Sequence, residues 1–333
     1  MHLEKLVLIL SAITCVLSSQ LLDQEWEAWK AKHEKEYSNF HQEMHRRKAW
    51  EATWHKVQKH NELANQGLSK YRMAMNKFAD MTPKERTSRK CLFSNRKSTS
   101  LNNLPMQHKS RALNIPDSVD WRDSGCVSPV KSQGLCGSCW AFATVSVFES
   151  LHCIKNKKLV KFSEQQLVDC DNEDQNDGCC GGFPEKAMAY VTSRGFMKAK
   201  DYKYKATQHD CSYNPKKAIT FNVTKYYVLP EEENMAVSLA MNGPLTVGID
   251  ASDDFSLYSN GIFDGECGTE LSHAVVIVGY GTEHDEASNE EIDYWIVRNS
   301  WGEDWGTNGY VKMRRNENQC GIAIDASSVD LSG

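Results

Sequence analysis

The chain has no apolar stretch long enough to cross a bilayer as a helix, so no membrane-spanning helix is expected. It has no internal repeat, which sets aside solenoids and propellers. Neither a compact basic run nor an aromatic-basic motif is present to support nucleic-acid binding. Gly279-Tyr280-Gly281 lacks the third glycine and the following helix of a dinucleotide loop, and that site is discarded. No cofactor and no metal is expected, and the chain is expected to be a monomer.

What is present begins with a leader. Glu4 and Lys5 precede an apolar run from Leu6 to Leu17, followed by Ser18 and Ser19. A run of that length at a chain start reads as a signal peptide over residues 1–19, with a buried N-terminal helix as the alternative. The remainder then matures in an oxidising compartment, the lysosome or the extracellular space. Of twelve cysteines, eleven follow the leader. Disulfides are expected there, and an odd count leaves at least one thiol unpaired or paired outside the chain.

The 333 residues, 40% of them hydrophobic, suffice for one or two domain cores. Net charge is −5, unevenly spread: residues 20–114 sum to +9 and residues 115–333 to −14. Mutual attraction between two parts of one precursor explains that split more simply than a nucleic-acid partner.

Trp26, Trp29, His33 and Tyr37 recur at three- and four-residue spacing, which predicts a helix over 24–37. A second helix is predicted over 40–61, forming a hairpin with an aromatic core. From Arg86 to Ser110 the chain is polar and aperiodic, and reads as a linker. Composition changes at Ile115-Pro116-Asp117. Helix-like pieces fill 139–194, and short strand-like runs follow at 245–249, 274–280, 294–298 and 310–313. Helices first and strands later in one unit predict an α+β fold with two halves side by side.

The chemistry concentrates in Gln133-Gly-Leu-Cys136-Gly-Ser-Cys139-Trp140-Ala-Phe142. Cys139 opens a segment with helical periodicity, and a thiol at a helix N-terminus sits in a field that favours the thiolate. Amide cleavage needs such a thiolate, an imidazolium beside it, a group that orients the imidazole and donors for the oxyanion. Cys136 and Cys139 could instead form a redox pair or, with Cys179 and Cys180, a zinc site. Adjacent cysteines chelate one metal badly, and no strand of a βαβ unit precedes the pair.

Cys136-Gly-Ser-Cys139-Trp140 resembles the nucleophile signature of the papain family of cysteine proteases. Leu271-Ser272-His273-Ala274-Val275 is similar to that family's histidine segment, and Asn299-Ser300-Trp301-Gly302 with Trp305-Gly306 to its asparagine segment. His273 follows Cys139 by 134 residues and Asn299 by 160, the latter long enough to suggest a loop insertion. Glu43, Arg47, Trp50 and Asn61 resemble the helical propeptide signature of the cathepsin L, S and K group. Thr53 and Val57 replace its usual Asn and Ile. Ala74-Met-Asn76-Lys-Phe78-Ala-Asp80 resembles the second propeptide motif, with Ala for its first Gly, and Pro116 to Arg122 the mature N-terminus.

This resemblance implies a papain-like fold: a helical left domain, a β-barrel-like right domain and a helical propeptide. The expected division is 1–19 signal peptide, 20–114 inhibitory propeptide and 115–333 peptidase. It implies a secreted cysteine endopeptidase zymogen activated by acid, acting on proteins and peptides, inhibited by its own propeptide and by cystatin-type inhibitors.

Cys139 is the implied nucleophile, His273 the base, Asn299 its orienter and Gln133 an oxyanion donor, with Trp301 as a screen. Implied substrate contacts are Gly181, Gly182, Phe183, Pro184, Gly248, Leu271, Asp325, Trp301 and Trp305. Implied disulfides join Cys136 to Cys179, Cys170 to Cys211 and Cys267 to Cys320. Cys91, Cys126, Cys153 and Cys180 are left over, and Cys180 stands where the group usually has Asn. Asn222-Val-Thr224 is a glycosylation sequon. Asp325, where the group usually has a small or apolar residue, implies that the second residue before the cut can be Arg or Lys, unless the acid turns to solvent or a backbone amide.

Two rivals remain. A catalytically silent protease-like binder would have lost the nucleophile, which is present. An exopeptidase would carry an occluding insertion, and the acidic stretch between Cys170 and Cys179 is too short for one.

Overall fold

The computed structural model describes residues 20–88, 115–172 and 175–331. The expected leader, Cys91 and most of the expected linker lie outside the described residues.

Helix α1 covers residues 20–32, starting earlier and ending sooner than the periodicity suggests. Glu34 takes a positive φ of 50°, which breaks the helix and turns the chain back. Helix α2, Phe40–Asn65, runs four residues past its expected end; Asn39 caps it, its side-chain oxygen accepting from the Gln42 amide. The pair closes on aromatics: Trp26 stacks on Trp29 and Tyr37 and meets Trp50 edge-on at 5.5 Å. The Arg47 guanidinium covers both Trp26 and Trp50. His33 and Tyr37 thus belong to the core, though not to the helix.

Strand β1, Tyr71–Met73, and helix α3, Pro83–Thr87, follow. Helix α3 has a capping box, Thr82 with Glu85. It also corrects the linker boundary: Arg86 lies in its last turn, buried, because its guanidinium reaches Asp253.

The peptidase half has two cores. Helix α4, Cys139–Asn156, carries an almost continuous buried run from Cys139 to Leu151. Helices α5 (Glu164–Cys170) and α6 (Pro184–Arg194) pack beside it. Phe148, Phe162 and Phe196 are fully buried against one another, each contributing roughly 1.5–3 kcal/mol by burial. Strand β2 (Val119–Asp120) pairs with β8 (His273–Asp285), and β3 (Phe196–Met197) forms a short separate ribbon with β4 (Ala218–Ile219).

The main sheet runs β1-β7-β10-β9-β8-β6-β11-β5. Its strands are β5 Val223–Val228, β6 Leu245–Ile249, β7 Tyr258–Phe263, β8 His273–Asp285, β9 Glu290–Arg298, β10 Tyr310–Arg314 and β11 Ala326–Leu331. Helix α7 (Glu232–Asn242) precedes β6, and α8 (Asp253–Leu257) precedes β7. Strand β8 is buried on both faces over its first nine residues. Val275 and Ile277 enter the core of the sheet half, while Ala274, Val276 and Val278 alternate into the core around α4. That double burial explains the unbroken apolar run and fastens the halves together, with His273 at the seam.

The basic segment sits on the acidic one. Strand β1 adds antiparallel to the edge of β7. Lys56 pairs with Asp253 and Asp254, Lys70 with Asp285, Lys77 with Asp304 and Arg86 with Asp253.

Candidate active site

Three elements that start or end at the seam bring the site together. Cys139 is the first residue of α4, so its thiol lies at the positive end of an eighteen-residue helix. No acidic residue stands in that first turn to offset the field. His273 opens β8, paired with Ile249 of β6, and Asn299 follows the last residue of β9. Both side chains are buried.

Asn299 Oδ1 lies 2.8 Å from His273 Nε2 and accepts the Ser300 amide at 2.7 Å. An imidazole held this way carries its proton on Nε2 and turns Nδ1 to its other side. The amide of Ala274, next after His273, donates to Cys139 Sγ at 3.2 Å, so thiol and histidine share one strand end. The Trp301 ring stacks on the imidazole at 4.6 Å, 26° from parallel.

Gln133 lies beside them, almost fully buried. Its Oε1 accepts from Ser300 Oγ at 2.6 Å, its amide donates to the Ser300 carbonyl, and Nε2 donates to the Cys136 carbonyl. With Oε1 anchored, the amide orientation is set and its NH₂ end faces the nucleophile loop. Tyr204 braces that loop: its hydroxyl donates to the Gln133 carbonyl and meets Ser138 Oγ at 2.7 Å. Ser300 was legible, since it lies inside the quoted asparagine segment; Tyr204 carried no sequence signal.

Disulfides join Cys136 to Cys179, Cys170 to Cys211 and Cys267 to Cys320. Cys136 is therefore spent on Cys179, which removes the zinc and redox alternatives. A fourth bridge corrects the sequence reading: Cys126 pairs with Cys153, their Cα atoms 5.3 Å apart. It ties the irregular segment that follows β2 to helix α4. Cys139 stays outside the four bridges, and Cys180 is an exposed free thiol.

Among the expected substrate contacts, Gly181, Gly182, Phe183 and Pro184 form one buried run leading into α6. A Cβ on Gly182 would fall 2.5 Å from Asn176 Oδ1 and 2.7 Å from the Trp140 ring, so packing from beneath already demands glycine. Gly248 donates its amide to the Asp325 carbonyl at 2.9 Å, Asp325 is buried, and Leu271 is half-buried. Trp305 is wholly buried in the zymogen against Phe255, Tyr258 and Trp301, its indole donating to the Ser256 carbonyl, so it backs Trp301. Asn222 is exposed before β5.

The basic segment reaches the site directly. Phe78 meets the Trp301 ring edge-on at 5.3 Å, and the Lys77 ammonium bonds the Trp301 carbonyl. His33, Lys35, Lys77 and Phe78 close one side of a cavity of about 310 Å³ whose other side is Ser132, Leu135 and Trp301. Burial lowers the His33 imidazole below its ordinary value, only partly opposed by its bond to the Met75 carbonyl. Burial would raise Asp253, but its bonds to Arg86 and Lys56 hold it below the usual carboxylate range. Among the described residues no His, Cys, Asp or Glu cluster is arranged to hold a metal.

Residues 115–329 match the model of papain family cysteine proteases, and residues 26–85 that of the cathepsin propeptide inhibitor domain. The chain is 40% identical to a cathepsin L of Sarcophaga peregrina, covering 96% of this chain and 97% of that one. It is likewise 40% identical to a procathepsin L of Felis catus, over 92% of each. Its structure is similar to a digestive procathepsin L2 proteinase from the larval midgut of Tenebrio molitor, with a TM-score of 0.84 at 36% identity, covering 93% of this chain and all of that one.

Proposed function

The chain belongs to the papain family of cysteine proteases and carries a cathepsin propeptide inhibitor domain, and we propose that Cys139 is its nucleophile and His273 its acid-base partner. The carrying observation is the juncture at the start of β8: Asn299 orients His273 while the adjacent Ala274 amide touches Cys139 Sγ.

The protein is a cysteine endopeptidase held as a zymogen by its own propeptide. The Cys139 thiolate bonds to the scissile carbonyl carbon. The C–N bond breaks as the His273 imidazolium gives its proton to the leaving amine. Water, deprotonated by the same imidazole, then releases the acyl group. The Cys139 amide and the Gln133 NH₂ group stabilise the oxyanion at each step. The ground for Gln133 is its anchoring by Ser300, which leaves its donor end towards the nucleophile loop.

We divide the chain into leader (1–19), propeptide (20–114) and peptidase (115–333); the matches over 26–85 and 115–329 support the last two parts. We assign the protein to the secretory pathway, ending in lysosomes or outside the cell, with Asn222 glycosylated. It acts as a monomer, open to cystatin-type inhibitors once the propeptide leaves. Release is driven by acid, because the docked pairs depend on ionised carboxylates. A silent binding protein would have no need to keep Cys139, His273, Asn299 and Gln133 in one cluster.

The test is Cys139→Ser. It should fold, bind propeptide and lose peptide hydrolysis by several orders of magnitude, since members of such a unit fail together. An epoxide that alkylates active-site thiols should label wild type once per molecule, at Cys139. Retention of a tenth of the turnover would overturn the assignment.

A further inference from the structure

Arg298 is the last residue of β9, wedged between Val276 of β8 and Tyr310 of β10. Its side chain is buried and crosses the seam to the helical half. There Nη1 donates to Ser146 Oγ on α4 and Nη2 to the Pro129 carbonyl at 2.6 Å. Its Nε has no hydrogen-bond partner among the described residues, and the same is true of Nδ2 of the next residue, Asn299. Both residues line a single cavity of about 10 Å³, shared with Lys131, Ser146 and Ala274.

Buried donors are as a rule hydrogen-bonded, to protein or to ordered water, and here both residues border one space. The Lys131 ammonium does not compete for it, being bound to Glu149 at 2.7 Å and Glu164 at 2.6 Å. Both carboxylates already face Lys131, so the region calls for no further anion. A space of that size holds about one water, whose two lone pairs match two N–H donors.

We infer that one ordered water accepts from Arg298 Nε and Asn299 Nδ2, making Arg298 a positioning residue for the Asn299–His273 pair. An Asn held through Oδ1 alone can turn over and present its NH₂ to the imidazole N–H, donor against donor. Fixing Nδ2 excludes that state. The inference rests on His273 and Asn299 acting in the proposed reaction, but its first test does not.

That first test needs no variant. A high-resolution crystal structure of the full-length zymogen should show one solvent peak within hydrogen-bond reach of both Arg298 Nε and Asn299 Nδ2. A cavity without density overturns the inference whatever the enzyme does. The second test expresses full-length Arg298→Met, Arg298→Lys and wild type, each processed with pepsin. Arg298→Met keeps the bulk and loses the donors. Its kcat should fall about tenfold to a hundredfold with KM nearly unchanged, as for small misplacements near a reacting group. Arg298→Lys, which returns a donor, should recover most of that loss. Equal kcat in Arg298→Met and wild type, or equal losses in both variants, would overturn the positioning role.

Discussion

Arg86 and Asp253, 167 residues apart in sequence, meet as a pair between a buried arginine and a half-buried aspartate: Nε donates to Oδ1 at 2.6 Å, and the arginine side chain is only 1% exposed. The same guanidinium also bonds Thr53 and the Phe78 and Met81 carbonyls, so it gathers helix α2, the second propeptide motif and helix α8 at one point. Removing one partner of such a pair leaves the other charge buried and unmatched. Asp253→Asn in a Cys139→Ser zymogen should therefore weaken the docked state by about 3 kcal/mol. In the active zymogen it should speed self-processing, while kcat/KM of the processed enzyme on short peptides stays at the wild-type value. A melting curve and a processing time course check both halves.

Acid should loosen the propeptide in two stages. His33, facing Lys32, Lys35 and Asp304, is held below its ordinary value, so docking favours its neutral form. Its contribution is complete above the free-imidazole value, about 6.5, and is lost as pH falls below it. Asp253 is held below the usual carboxylate range by Arg86 and Lys56. Its contribution is complete above roughly 4 and is lost on further acidification. Processing should accelerate first near pH 6 and again towards pH 4, and His33→Gln should remove only the first stage. Added salt should speed processing through the more exposed pairs Lys77–Asp304 and Lys56–Asp254. A rate that peaked at neutral pH and ignored salt would sink the electrostatic latch.

Gln133→Ala removes the anchored donor without touching the nucleophile. Loss of one oxyanion donor typically costs about a hundredfold to a thousandfold in kcat. The alkylation rate of Cys139 should change far less, because opening an epoxide puts no charge on a carbonyl oxygen. Comparing the two rates in one preparation separates a role in stabilising charge from one in shaping the loop. Ser300→Ala, which frees Gln133 Oε1, should give a smaller loss of the same kind.

Asp325 is buried beneath Gly248, its carbonyl accepting the Gly248 amide. The expectation that Asp325 lies at the base of the pocket for the second residue before the cut implies an incoming guanidinium, met with paired hydrogen bonds. Asp325→Ala should lower kcat/KM for an Arg-Arg reporter peptide about tenfold more than for Phe-Arg. If the ratio between the two reporters is the same in both enzymes, Asp325 does not read the substrate.

Local chemistry made much of the protein legible in advance. Leu245–Ile249 reads as a strand because every residue in it is apolar or small, and it is buried throughout. Spaced aromatics announce the propeptide helices, because a helix must bring its apolar side chains to one face. Cys139 before an apolar periodic run marks a helix start, and the histidine and asparagine segments carry their own signatures.

Tertiary structure decided the rest, because those outcomes depend on distances between residues remote in the chain. Cys126 and Cys153 became partners only when the approach to α4 folded back along it. Arg86, polar among polar neighbours, looked like linker until Asp253 stood opposite. Trp305 shares its segment with Trp301, yet only the packing of Phe255 and Tyr258 sends one ring into the core and leaves the other over His273. The sequence determined which groups could react, since reactivity belongs to residue type and immediate neighbours. Which of them meet, and which are sealed away, was set largely by the burial of β8 on both faces, which brings His273 and Ala274 against Cys139 at one seam.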